Sequence, residues 1–134
     1  MTRQLQSAAT CHHPGVTVHA VPSDATERTF PFRGWIVWLT PEQGGRQSGV
    51  PTPREEWPHY AANAFVPPDT AANGLASFVL RGFSAESWRS AAQACWLAPD
   101  NPDAPWVEAG TVIDVTEGPT PVGFFVVEQV ATGV

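Results

Sequence analysis

The sequence has no lysine, and no apolar run reaches the roughly 18–20 residues that a helix needs to cross a bilayer. Without lysine, a phosphate-binding loop of the GxxxxGK(S/T) type cannot form, which excludes nucleotide hydrolysis by that route. The beginning of the sequence also lacks the apolar stretch of a secretory signal. The sequence therefore predicts a cytoplasmic protein without a membrane segment.

Positive charge is also scarce. Seven basic residues, all arginine, stand against 13 acidic residues, and the net charge is −6 at pH 7. Nucleic-acid backbones attract dense basic patches through the release of counterions, so this balance argues against general nucleic-acid binding. The composition favours a protein as the partner. A small local patch of arginines that binds RNA stays an alternative.

Proline and glycine, in contrast, are abundant, with 14 and 11 copies in 134 residues. Both are costly inside helices, which excludes a helical bundle and favours short strands joined by turns. The length fits one domain, because domains cluster around roughly 100–150 residues. We expect a flexible arm over 1–14 and a single domain over 15–134.

Alternating or β-branched apolar residues predict a series of strands separated by turn residues. The strongest signal covers 30–39, where Pro31 and Gly34 also predict an edge start and a bulge. Residues 117–121 predict the tight turn of a final hairpin. The predicted strands are 16–21, 30–39, 59–66, 75–80, 111–115 and 122–130.

One helix is predicted over 84–97. Ser84 can cap it and Glu86 lies in its first turn. Apolar residues then recur every three to four positions, as on one face of a helix: Ala85, Trp88, Ala92, Cys95 and Trp96. The pattern predicts a mainly β fold, a small antiparallel barrel or sandwich of about six strands with this one helix.

The potential metal ligands near the start of the chain do not have the spacing of a metal site. Cys11, His12, His13 and His19 are close in sequence, but adjacent histidines point to opposite sides of an extended chain. No second pair of ligands at finger spacing completes a tetrahedral set. We therefore predict no metal and no cofactor.

A catalytic constellation is not recognisable either. Cys95 lies among apolar residues, which is typical of a buried thiol and not of a nucleophile paired with His59. A disulfide with Cys11 is arithmetically possible, but a cytosolic chain of this size does not need one, so the reduced state is favoured. Glu55 and Glu56 lie in a polar loop, where no apolar neighbours would raise a carboxyl pKa for acid-base work. The sequence thus predicts a protein that is not an enzyme.

The six tryptophans fall into two groups. Trp57 and Trp106 each lie beside a proline in a loop, which indicates either an exposed anchor for a partner or a cap over the end of the fold. Trp57 ends a loop over 41–57, and loops of this length are usually functional or mobile. The other four occur on patterned segments and are predicted to lie in the core: Trp35, Trp38, Trp88 and Trp96.

Three segments together resemble the third domain of elongation factor Tu, a small antiparallel β-barrel. Residues 32–46 are similar to that family's strand followed by a Glu-Gly-Gly-Arg turn, here Gln43-Gly44-Gly45-Arg46. Trp57-Pro58-His59-Tyr60 is similar to its Arg-Pro-Gln-Phe. Residues 113–130, with Glu117-Gly118 and then Val122-Gly123, match its closing hairpin. The resemblance covers about a hundred residues and implies a small antiparallel β-barrel.

In that family the barrel contacts the T stem of aminoacyl-tRNA and a nucleotide-exchange protein, using basic residues after the Gly-Gly-Arg turn and before the proline. Here Gln47 follows the turn and Trp57 precedes Pro58, so positive charge is missing where phosphates would dock. The resemblance therefore implies a stand-alone barrel and not a translation factor.

These observations predict a non-enzymatic module that binds another protein. The predicted partner-binding residues are Arg46, Gln47, Trp57, His59, Tyr60 and Trp106. Two alternatives stay open: an accessory domain that binds RNA or tRNA, and an immunity-type protein that neutralises a toxin. The RNA alternative uses Arg33, Arg46, Arg54 and Arg81.

Overall fold

The structure is a computed structural model that describes residues 29–102 and 104–131. These residues form six strands and, as their only helical element, a short 3-10 turn at Pro41–Gln43. The strands are β1 (Phe32–Trp38), β2 (Tyr60–Phe65), β3 (Ala76–Arg81), β4 (Arg89–Trp96), β5 (Val112–Glu117) and β6 (Thr120–Val130).

The strands close into one antiparallel barrel in the order β1-β4-β3-β2-β5-β6. The predicted mainly β fold, a six-stranded antiparallel barrel, is confirmed. β5 and β6 form the predicted hairpin, in which Glu117 pairs with Thr120 and Gly118 takes a positive φ of 59°. In this closed ladder every described strand is paired along both sides, so the predicted edge start of the first strand is wrong.

The interior of the barrel is filled by alternate residues of all six strands. In β1, for example, Phe32, Ile36 and Trp38 are buried while Arg33 is exposed. This is the two-residue period expected of strands with one face in a core. The largest side chains that are fully buried belong to this interior: Phe78, Phe125, Ile36, Leu80 and Ile113.

The predicted helix over 84–97 is wrong. Its second half is strand β4, and its first half is a turn in which Glu86 donates from its backbone N–H to the Ser84 hydroxyl. Alanine is a strong helix former, but Ala92, Ala94 and Trp96 are buried at every second position because a barrel interior needs small residues next to large ones. The segment predicted as a helix thus supplies β4, one of the six strands of the barrel.

The cause of the misleading pattern is Cys95, which points away from the interior and is nevertheless buried. It packs with Phe30 and Val79 in a second, small apolar cluster on the outside of the barrel. Both faces of β4 are therefore apolar near its end, which removes the alternation of a strand. Burial of Cys95 is confirmed, but the favoured reduced state is wrong, because Cys95 is disulfide-bonded.

The predicted bulge at Gly34 is confirmed, since the register between β1 and β6 shifts between Arg33 and Gly34. Glycine is required here because a β-carbon on Gly34 would lie 1.9 Å from the carbonyl oxygen of Val126. Gly123 on the opposite strand has a similar role, with a β-carbon position 2.5 Å from the carbonyl oxygen of Val37. The two strands that close the barrel can therefore approach each other closely.

The tryptophans divide differently from the prediction. Trp38 and Trp96 are in the core as predicted, and Trp57 and Trp106 are exposed as predicted. Trp88 is exposed because it precedes β4 in the turn, so its assignment to the core is wrong. Trp35 lies half-buried on the outer face of β1, and its assignment to the core is wrong as well.

Several predictions concern residues outside the described part of the chain. These are the arm over 1–14, the boundary at residue 15, the strand over 16–21, and the residues Cys11, His12, His13 and His19. Within the described residues, no helix has the length and apolarity needed to cross a bilayer.

Candidate functional site

Four of the predicted site residues line one cavity. It has a volume of about 330 Å³ and lies between the long loop after β1 and the beginning of β2. Gln47 and Trp106 do not line it, and Trp106 lies in the loop before β5. The lining residues are Arg46, Pro51, Thr52, Pro53, Arg54, Trp57, His59 and Tyr60.

The loop reaches this position through a capped 3-10 turn. The Thr40 hydroxyl accepts from the Gln43 backbone N–H, and the Gln43 side chain accepts from the Thr40 N–H in return. Gly44 then reverses the chain with a φ of 93°, a conformation that favours glycine. Gly45 packs so closely that a β-carbon would lie 2.3 Å from the Leu39 carbonyl oxygen. The turn therefore places Arg46 against the barrel.

Glu117 fixes one wall of the cavity by accepting two hydrogen bonds on the same oxygen. Arg46 Nε donates to its Oε2 at 2.8 Å, and the Tyr60 hydroxyl donates to that atom at 2.5 Å. Arg46 also donates to the backbone carbonyl of Gly49. Arginine, tyrosine and glutamate come from the loop, β2 and β5, so this wall joins three separate parts of the chain.

The Tyr60 phenol is held in its protonated form. Burial raises the pKa of Tyr60 well above its ordinary value, and the hydrogen bond to Glu117 raises it further. The ring also packs edge-on against Trp38, with centroids 5.2 Å apart. Tyr60 therefore acts as a rigid hydrogen-bond donor to Glu117 and is not suited to accept a proton at neutral pH.

The other wall is aromatic. Trp57 is 46% exposed, and its ring stands nearly perpendicular to that of His59, with centroids 5.3 Å apart. His59 is buried between Trp57 and Phe30, whose ring centroid lies 5.2 Å from the imidazole. His59 was predicted to contact a partner, but its side chain is buried and supports the Trp57 ring instead.

A tight turn sets the position of Trp57. Arg54 and Trp57 form an isolated β-bridge, and the Trp57 N–H donates to the Arg54 carbonyl at 3.1 Å. Glu55 and Glu56 occupy the tip of this turn and are exposed, as predicted. The Arg54 side chain is exposed, and no described residue forms an ion pair with it. The cavity thus combines an exposed indole with an available guanidinium.

Sequence reasoning missed Glu117 as a member of the site. It is 71 positions from Arg46 and 57 from Tyr60, so no local pattern connects them. Arg54 was considered only for RNA, together with Arg33 and Arg81, but these two arginines do not line the cavity. The four arginines of the RNA hypothesis therefore do not line one cavity.

The chain matches no family model, no curated protein and no solved structure. Among the described residues, no group of three or more histidine, cysteine, aspartate or glutamate side chains has the arrangement of a metal site. The side-chain groups that line the cavity include an indole, two proline rings, two guanidinium groups and the Tyr60 phenol, which is hydrogen-bonded to Glu117.

Proposed function

We propose that the protein is a non-enzymatic module that binds a partner protein through the Trp57 cavity. The observation that carries this proposal is the half-exposed Trp57 ring, which stands on buried His59 beside a wall tied together by Glu117. Interface hot spots are enriched in tryptophan and arginine on surfaces that need little ordering to bind. We propose a likeness to the third domain of elongation factor Tu in the barrel fold alone, and not in function.

The closed barrel supports recognition by side chains. An extended peptide often binds by adding a strand to a free sheet edge. In the described part of this chain, each strand is paired on both sides, so this mode is not open to it. A partner must therefore be recognised by pockets and side chains, and the Trp57 cavity combines both.

The lining suggests the chemistry of the partner segment. Trp57, Pro51 and Pro53 offer an apolar contact for an aliphatic or aromatic side chain. Among the described residues Arg54 forms no ion pair, whereas Arg46 is paired with Glu117. A carboxylate next to the apolar side chain of the partner would complement Arg54.

The test compares two exposed tryptophans. The Trp57→Ala variant removes the anchor, and Trp106→Ala is the matched control because Trp106 is 64% exposed and lies outside the cavity. Affinity capture with the full chain from the source cells should identify partners that Trp57→Ala binds at least about tenfold more weakly, and Trp106→Ala normally. Both variants should keep a thermal midpoint near that of the parent protein, because surface substitutions usually change stability by about 0.5 kcal/mol or less.

Two results would contradict the proposal. If Trp57→Ala lowered the midpoint as much as a core substitution such as Phe125→Ala, Trp57 would be a structural residue. If partners were retained equally by all variants, the cavity would not be the binding site. Capture that is abolished by ribonuclease would instead favour the RNA alternative.

A further inference from the structure

A second depression lies on the outside of the barrel, away from the residues of the Trp57 cavity. It has a volume of about 350 Å³ and runs across β1 and β4. The depression forms where Gly34, Ala91 and Gly82 carry small side chains or none. Its lining also includes Arg33, Trp35, Gln93 and Glu128, and Arg81 directly precedes the lining residue Gly82. We call this depression the Arg33 groove.

The strand register brings two arginines to either side of Gln93. Arg33 on β1 and Arg81 on β3 are both paired with Gln93 on β4, so the three residues form one row across the sheet. Strands are spaced by about 4.8 Å, which places the two arginine backbones about 10 Å apart. Arginine side chains on such positions can reach a common anion.

Arg81 is held in place although a like charge is nearby. Its Nε donates to Gln93 Oε1 at 2.8 Å, and its guanidinium lies over the Phe30 ring, 4.0 Å from the centroid. Burial lowers the pKa of Arg81, and the positive charge of Arg33 lowers it further. The fold therefore holds two cations together in a chain with a net charge of −6.

A third arginine contacts a residue of the groove. Arg89 lies over the Trp35 ring, with its guanidinium carbon 4.4 Å from the centroid. Within the described residues, Arg33, Arg81 and Arg89 form no ion pair, whereas Arg46 is paired with Glu117. Arginines that are ordered by stacking and amide contacts, but not neutralised, are prepared to bind an anion.

We propose that the Arg33 groove binds a phosphate monoester, with the dianionic phosphoryl group between Arg33 and Arg81 and the organic group on the floor beside Trp35. A monoester carries a charge of about −1.5 to −2 at pH 7, enough to neutralise two arginines, whereas a carboxylate or a phosphodiester carries one charge. The volume exceeds that of a phosphate ion, and the remaining space beside the half-buried Trp35 suits an apolar group.

Glu128 sets the orientation of the ligand. Its Oε2 accepts a hydrogen bond from Trp35 Nε1 at 2.9 Å, which fixes a negative charge at the β6 side of the groove. This carboxylate repels the phosphoryl group from that end. The anion is therefore directed away from β6, towards the row that Arg33, Gln93 and Arg81 form across β1, β4 and β3.

The test uses phenyl phosphate and its methyl ester, which has one negative charge fewer. Isothermal titration of the full chain should show that phenyl phosphate binds at least about tenfold more tightly than methyl phenyl phosphate. Arg33→Met and Arg81→Met should each weaken phenyl phosphate binding about tenfold or more. Arg54→Met, in the Trp57 cavity, is the matched control and should leave it unchanged, as should Trp57→Ala.

A phosphotyrosine peptide distinguishes the source of the phosphoryl group. A phosphotyrosine peptide that binds more tightly than phenyl phosphate would assign the groove to a modified protein, and equal binding would assign it to a free phosphate ester. The proposal is overturned if both esters bind equally, if neither binds, or if binding survives both arginine substitutions. It is also overturned if single-stranded oligouridylate binds more tightly than phenyl phosphate, with steep salt dependence, since that outcome indicates phosphodiester recognition.

Discussion

The two depressions on this barrel use arginine in opposite ways. In the Trp57 cavity, Arg46 donates to Glu117, which also accepts the Tyr60 hydroxyl, so the cation is neutralised within the wall. In the Arg33 groove, Arg81 is held by the neutral side chain of Gln93 and by the Phe30 ring. A neutralised arginine stabilises the protein itself, whereas an arginine held without a counterion leaves its charge for a ligand.

The largest expected difference between the two regions concerns their glutamates. Glu117→Ala removes the acceptor of two hydrogen bonds, one of them from a charged group, and should lower the free energy of unfolding by about 2 kcal/mol. Glu128→Ala removes one exposed hydrogen bond and should cost less than about 1 kcal/mol. Urea unfolding followed by tryptophan fluorescence measures both. Equal losses would mean that Glu117 has no special role in the wall.

The next difference concerns the arginines. Arg46→Met leaves Glu117 without its ion-pair partner and should lower the free energy of unfolding by about 1 kcal/mol. Arg33 forms no ion pair with a described residue and its charge repels Arg81, so with Arg33→Met stability should stay within about 0.5 kcal/mol or rise slightly. The same urea titrations apply. A larger loss for Arg33→Met would show that the charge of Arg33 is neutralised in the folded protein, as that of Arg46 is, and would contradict the difference between the two depressions.

Among the three residues joined at Glu117, the smallest expected effect at neutral pH is that of Tyr60→Phe, which removes one hydroxyl hydrogen bond and should cost about 1 kcal/mol or less. The effect of pH is more informative. Because the fold raises the pKa of Tyr60, this contribution to stability is fully present below the ordinary tyrosine pKa of about 10 and is lost as the pH rises above it.

Tyr60 is the only tyrosine of the chain, so phenolate absorbance reports this residue alone. During an alkaline titration the phenolate signal should be delayed until the protein unfolds, and the unfolding free energy of the parent should fall more steeply than that of Tyr60→Phe. An ordinary titration midpoint in the folded protein would contradict the buried hydrogen bond to Glu117.

Local patterns predicted much of the barrel and part of the site. The β5 and β6 hairpin was recognisable because its turn residues and alternation lie within one stretch of chain, and the bulge at Gly34 was recognisable from a glycine in a strand. Strand β4 was not, because Phe30 covers Cys95 from outside and removes the polar face that identifies a strand. That cover depends on a contact across the sheet, which no local window contains.

The same limit applies to the two depressions. Arg46, Trp57, His59 and Tyr60 were predicted together because they flank one long loop. Glu117 was not, since it meets Arg46 only after the barrel closes. The row of Arg33, Gln93 and Arg81 depends on the register of three strands, and register is set by how the whole sheet assembles.

The first strand begins next to the point where the last strand ends. Phe32 is paired with Val130, and the Ala131 N–H donates to the Pro31 carbonyl at 2.8 Å, so the first and last strands are neighbours in the ring. A short peptide link between these two points would join them without moving a strand. Joined in this way, the six strands would form a cyclic unit that can be reopened in the loop between β4 and β5, which contributes no residue to either depression.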